Sequence, residues 1–289
     1  MKKYSYTSAV IAAVLFTSIS AGAEVVFLDT FSYDGGDAGS FGSDINANIP
    51  ARQSGGTTTS TYTATATSGL AKAYLRESDG NLYNSDILQA RVYETNVAQS
   101  MSFDLGTDFG SSLSGKKWSL SYKGRLSSAG AVSAWSGFSV GNPANTPKNN
   151  STGGFGFVLF KSGSYGIWNG ATQVGSGVVS DSVDNVKYDL SAIFDEIAGT
   201  VSISISLHSA TTVNYDLGTY TTSFADGSRY VEFSSLVNGD ASAVAGVYFD
   251  SRIDDITIET IPEPASLALI VISGTGAVFV RRAVARAKG

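Results

Sequence analysis

The 289-residue sequence has no cysteine and a single histidine, His208. The first absence removes cysteine nucleophiles, thiolate zinc sites, iron–sulfur clusters and disulfide staples. A body of roughly 240 residues buries enough core to fold without such staples. The second removes any histidine-based zinc site, because one imidazole cannot supply the usual ligand set. A serine hydrolase triad would have to use His208 as its base, and no Gly-x-Ser-x-Gly elbow accompanies it. Repeats of fixed period are absent as well, which argues against propellers and solenoids. Long apolar runs occur only at the two ends.

Charge is unevenly placed. Six of the 19 Lys and Arg residues lie in the terminal segments, whereas all 25 acids lie between Glu24 and Glu263, leaving that stretch at a net of −12. An acidic body lacks the clustered cations that phosphate neutralisation requires, so no nucleic acid partner is expected.

At the N-terminus, Lys2 and Lys3 precede an apolar stretch from Ala9 to Ile19, and Ala21-Gly22-Ala23 supplies small residues at the −3 and −1 positions. This is the pattern of a secretory signal peptide over 1–23, with signal peptidase cutting between Ala23 and Glu24.

Between the ends, strand signals recur and helical signals are nearly missing. In "TVSISISLHS", Val201, Ile203, Ile205 and Leu207 alternate with serines. That period of two predicts a half-buried strand whose serine side faces water or a polar groove. "YDLSAIFDEIAGT" upstream supplies its hairpin partner, with Asp195-Glu196 as a solvated pair at the turn. A second hairpin runs from Gly154 to Trp168 around Lys161–Ser164, and Asn169-Gly170 fits a type I′ reversal. Further strands are expected at Val25–Phe31, Lys72–Arg76, Leu88–Tyr93, Ser100–Leu105, Trp118–Arg125, Val132–Val140, Tyr230–Ser235, Val244–Phe249 and Ile253–Glu259. "TTTSTYTATAT" (Thr57 to Thr67) reads as an edge strand, with a glycosylated or flexible tract as the alternative, and Asp34–Gly56 and Gly141–Gly154 read as loops. Two overlapping glycosylation sequons at Asn149 and Asn150 are read as chance. The sum is one all-β domain over 24–260, a two-sheet antiparallel jelly-roll sandwich.

The opening "VVFLDTFSY", the aromatic hairpin and the closing "SRIDDITIE" resemble the laminin G-like or concanavalin A-like sandwiches of exported bacterial proteins. That resemblance implies carbohydrate binding. Trp118, Trp135 and Trp168 are the candidate stacking platforms, with core packing as the alternative for each. A structural calcium ion could be held where Asp250, Asp254 and Asp255 of the closing strand meet Asp29 of the opening one; solvated strand-end aspartates are the alternative. No catalytic residues emerge, so a non-enzymatic role is expected. Paired carboxylates in a sheet groove, acting on polysaccharide, are the competing reading.

The tail reads "IPEPASLALIVISGTGAVFVRRAVARAKG". Pro262, Glu263 and Pro264 precede 16 apolar residues, 265–280, and Arg281 and Arg282 follow. As a helix the run is about 24 Å long, close to a ~30 Å hydrocarbon core, and arginines on the inside obey the positive-inside rule. The order resembles the PEP-CTERM sorting signal, here 261–289. The resemblance implies transient anchoring in the inner membrane and recognition by an exosortase. The mature chain would then be delivered to the cell surface or the extracellular polysaccharide.

Overall fold

The computed structural model describes residues 23–31, 45–66, 71–76, 87–93, 99–128, 133–142, 147–148, 153–209, 211–224, 227–237 and 248–262. Ala21, Asn149, Asn150, Glu263, Pro264, the 265–280 run, Arg281 and Arg282 lie outside them. One compact unit, Glu24–Thr260, holds every described strand. No helix among the described residues is long and apolar enough to cross a membrane.

Strands numbered in chain order form two antiparallel sheets. The first runs β13 (Thr212–Thr221), β12 (Thr200–His208), β11 (Lys187–Asp195), β6 (Lys117–Ser128), β15 (Tyr248–Thr260), β4 (Ile87–Tyr93) and β3 (Ala71–Arg76), with β1 (Val25–Asp29) pairing along the second half of β15. The second runs β10 (Thr172–Val178), β9 (Ser164–Asn169), β8 (Gly154–Phe160), β7 (Trp135–Gly141), β14 (Tyr230–Val237), β5 (Gln99–Asp104) and β2 (Thr63–Ala66). The protein is an all-β two-sheet antiparallel sandwich.

Alternating apolar side chains close the space between the sheets. Tyr122 of the first sheet meets Phe138 and Phe233 of the second edge-on, with centroids 6.2 and 5.1 Å apart. Phe194 stacks on Trp118 at 4.1 Å and meets Phe155 across the layer at 5.6 Å. Polar atoms also cross the core. Ser251 donates from β15 to Ser136 on β7 at 2.6 Å, and Ser235 on β14 donates to the same hydroxyl at 3.4 Å.

Several local expectations are refined. Two single-turn helices, α1 (Ile49–Arg52) and α2 (Gly110–Leu113), interrupt the strands. Tyr248 and Phe249, the described end of the strand expected at Val244–Phe249, and the strand expected at Ile253–Glu259 are parts of one strand, β15, with a bulge between Asp254 and Thr257 where Asp255 takes φ 51°. At the β9–β10 reversal Asn169 stays in its strand. Only Gly170 takes positive φ, 59°, so the turn is not type I′, which needs two such residues.

Candidate functional site

The serine side of β12 floors a trough. Successive residues of a strand point to opposite faces, so burying Val201, Ile203, Ile205 and Leu207 turns Ser202, Ser204 and Ser206 outward. Cross-strand register continues this pattern over four strands. Thr257 pairs with Ser121, Ser121 with Ser191, and Ser191 with Ser204, giving one row of short hydroxyl side chains across β15, β6, β11 and β12. The next row reads Asp254, Lys123, Asp189, Ser206. Between them lies a trough of about 300 Å³ lined by Ser121, Lys123, Asp189, Ser191, Ser204, Ser206, Asp255 and Thr257.

Its charged rim comes from the bulge and the hairpin mouth. The left-handed backbone at Asp255 brings its carboxylate onto the Lys123 ammonium. The Asp255 hydrogen bond, together with the neighbouring Asp254 and Asp189 charges, holds that ammonium above its usual range against the opposing effect of burial. Across the trough, His208 Nε2 lies 2.8 Å from Asp189 Oδ2, and its Nδ1 lies 3.2 Å from Thr212 Oγ1. Hydroxyl, imidazole and carboxylate thus stand in line. His208 and Thr212 are directly paired at the mouth of the β12–β13 hairpin, so the arrangement clasps that turn.

The other sequence candidates are dispersed. Asp29 is fully buried, and its carboxylate accepts from Arg52 (3.0 and 2.8 Å), Gln53 (3.0 Å), Tyr62 (2.8 Å) and the Phe31 amide (2.8 Å). Asp254 accepts from the Asp255 amide at 2.9 Å, and Asp250 lies 3.9 Å from Arg252. The four aspartates therefore do not converge. Among the described residues, no three acidic or histidine side chains are placed to share a metal ion.

Glu196 is not the solvated turn residue its sequence position implies. Its side chain is 6% exposed and accepts from Arg229 at 2.6 and 2.7 Å, Trp118 Nε1 at 2.9 Å and the Gly115 amide at 2.9 Å. Burial alone pushes its pKa up; those hydrogen bonds outweigh it and hold the carboxyl below its usual range. Trp118 is a core residue. Trp135 is buried and Trp168 half-buried, both on the outer side of the second sheet, where Lys148 Nζ lies 4.8 and 5.9 Å from their centroids. No tryptophan lines the trough.

One carboxylate pair escaped the sequence reading. Glu232 of β14 pairs directly with Asp104 of β5. Burial pushes Glu232 up to about 7, with the Asp104 charge adding to it and the Ser234 and Ser102 hydroxyls partly offsetting it. Burial raises Asp104 as well, against the Gly106 amide. The alternation within "YVEFSSLV" places Glu232 opposite the core, but its partner is 128 positions away, and nothing local signals it.

No protein-family model and no curated protein sequence matches the chain. Among solved structures, it is similar to peanut lectin with a nine-residue peptide, at 12% identity and TM-score 0.44, over 70% of this chain and 99% of that one. Winged bean acidic lectin complexed with methyl-α-D-galactose is similar at 10% identity and TM-score 0.47, over 70% and 100%. A protein of unknown function from Shewanella oneidensis MR-1 is similar at 14% identity and TM-score 0.47, over 90% and 95%.

Proposed function

We propose that this is an exported surface or matrix protein whose sandwich makes adhesive contacts with glycan through the hydroxyl-floored trough. The trough carries the reading. Sugar hydroxyls both donate and accept, and serine and threonine hydroxyls do the same, beside the ammonium of Lys123 and the carboxylates of Asp189 and Asp255. Rigid strands hold these groups in place, which lowers the ordering cost of each contact. Without an aromatic platform in the trough, single contacts are weak, and avidity from many copies on a surface supplies the strength.

A glycan array probed with the full chain in detergent, with and without calcium, tests this reading. Binding that is lost in Ser204→Tyr, which fills the trough from an exposed position, supports it. No binding to any glycan removes the sugar clause.

Export and sorting rest on the two terminal patterns, Ala21-Gly22-Ala23 before Glu24 and Pro262-Glu263-Pro264 before the apolar run and Arg281-Arg282. Cleavage by signal peptidase and exosortase gives a native mass that starts at Glu24 and lacks Arg281–Gly289. Recovery of a native form that retains Arg281–Gly289 would mean simple anchoring.

A second reading has one observation behind it. Glu232 and Asp104 are directly opposed on adjacent strands, which puts two carboxyl groups on one face of the second sheet, the residue pair that glycoside hydrolysis uses. Glu232, pushed up to about 7, has the proton a general acid needs near neutral pH. Release of reducing ends from polysaccharide, abolished in both Glu232→Gln and Asp104→Asn, would favour this reading.

A further inference from the structure

One ladder step beyond the trough, the register assembles cations. Arg252 of β15 pairs with Arg125 of β6, Arg125 with Lys187 of β11, and Lys187 with His208 of β12. Four nitrogen-bearing side chains therefore stand on one transverse line over four adjacent strands. At about 4.8 Å per strand the line is roughly 14 Å long. Lys123 flanks it from the neighbouring row, opposite Asp189.

This placement runs against the composition. The stretch from Glu24 to Glu263 carries 25 acids and 13 bases, yet four of those bases and the only histidine meet here. Like charges directly opposite each other on a sheet are destabilising. Lys187 registers the repulsion: burial first, then the Arg125 and Lys123 charges, lower its pKa, with Asp189 opposing. Acidic groups border the row at its ends and flank, Asp250 beside Arg252, Asp189 beside His208 and Asp255 on Lys123. The Arg125–Lys187 pair occupies the middle, with Arg125 also donating to the Asn185 side-chain oxygen.

We infer that the row is the anion-reading edge of the trough, and that the glycan it takes is acidic, with sugar carboxylates lying across Arg125 and Lys187 while neighbouring hydroxyls enter the serine floor. The inference rests on the trough reading above and adds the charge class of its ligand. An anionic chain relieves the cross-strand repulsion as it binds. Charge-assisted hydrogen bonds to guanidinium and ammonium are also stronger than those available to a neutral sugar.

The test compares polygalacturonate with neutral dextran, using the full chain in detergent, and compares wild type with Arg125→Gln/Lys187→Gln. The expected result is tighter binding of polygalacturonate, weakening as salt rises from about 0.01 to 0.15 M and the Debye length shrinks from about 30 to 8 Å. The double variant should lose about tenfold in polygalacturonate affinity, the scale of one charge-assisted hydrogen bond, and melt no lower than wild type. Lys187→Arg should retain binding. Undiminished polygalacturonate binding in the double variant, or equal binding of dextran and polygalacturonate at every salt concentration, overturns the inference and leaves the trough reading standing. Binding of neither polymer, with an empty glycan array, removes both.

Discussion

The Thr260 amide donates to the Glu24 carbonyl at 2.9 Å, and the Glu24 amide donates to the Thr260 hydroxyl at 3.1 Å, across 236 positions of sequence. The first and last residues of the sandwich are thus neighbours on adjacent strands. Joining them by a short Gly-Ser linker, and opening the chain between Gly170 and Ala171 in the β9–β10 turn, should give a permutant that folds. A single cooperative melting transition by circular dichroism is the expected outcome.

Arg229 and Glu196 form a buried bidentate pair, at 5% and 6% side-chain exposure. Arg229→Met leaves the Glu196 carboxylate buried without its cation and should cost about 3–5 kcal/mol in urea unfolding. The sign with pH follows from the lowered pKa of Glu196. Its contribution is present above the unfolded value and is lost as pH falls through the folded one, so the deficit of the variant should shrink in acid.

Around Asp29, the buried carboxylate collects Arg52, Gln53 and Tyr62, and the guanidinium lies 5.2 Å from the Phe31 ring centroid and 5.8 Å from that of Tyr62. Tyr62→Phe removes one hydrogen bond to a charged group and should cost about 1.5–3 kcal/mol. Arg52→Met removes the cation and should cost more, about 3–5 kcal/mol. Equal costs in the same unfolding assay would show that the ion pair is not the dominant link.

Strand alternation in "TVSISISLHS" foretold the buried side of β12 and left its serine side to water or a polar groove, of which the structure has the groove. Of the threonine tract expected as an edge strand, Thr63–Ala66 is the edge strand β2. What stayed illegible lies in pairing between distant segments. β10 and β13 have exposed residues along most of their length, so they lack the apolar alternation that marks a strand. Glu196 looked solvated because its partner Arg229 comes 33 positions later. The cation row draws one residue from each of four strands, and no window of sequence contains it. β15 read as two strands because the polar Asp250-Ser251-Arg252 stretch looks locally like a break, although it pairs on both sides within the strand.

Glu232 predicts a rise in stability in acid. Burial lifts its folded pKa to about 7, above the ordinary 4.5 of a glutamate, so the fold favours the protonated form. That preference is fully present below pH 4.5 and lost as pH rises through about 7. Glu232→Gln should therefore stabilise the protein by on the order of 1–3 kcal/mol at about pH 8 and leave it near wild type at about pH 4. Urea unfolding of both proteins at the two pH values measures the difference.

Gly124 gives the Tyr188 ring its space. A Cβ at that position would lie 2.2 Å from Tyr188 Cζ, and Tyr188 is 0% exposed. Gly124→Ala should destabilise the sandwich by about 1–3 kcal/mol through overpacking. Partial recovery in Gly124→Ala/Tyr188→Leu, which removes the obstructing ring, would identify that contact as the cause.

β15 has a place in time as well as in space. It pairs with β6 along one side and with β4 and then β1 along the other. The last of the described strands in chain order therefore fills the middle of the first sheet. Until it arrives, three earlier strands have open edges and the two sheets lack the Ser251–Ser136 link. Pairings of such long sequence separation form slowly, because a large loop must close before they contribute. A chain threaded through a narrow channel from its N-terminus stays loose under this topology until β15 has passed, then closes around it.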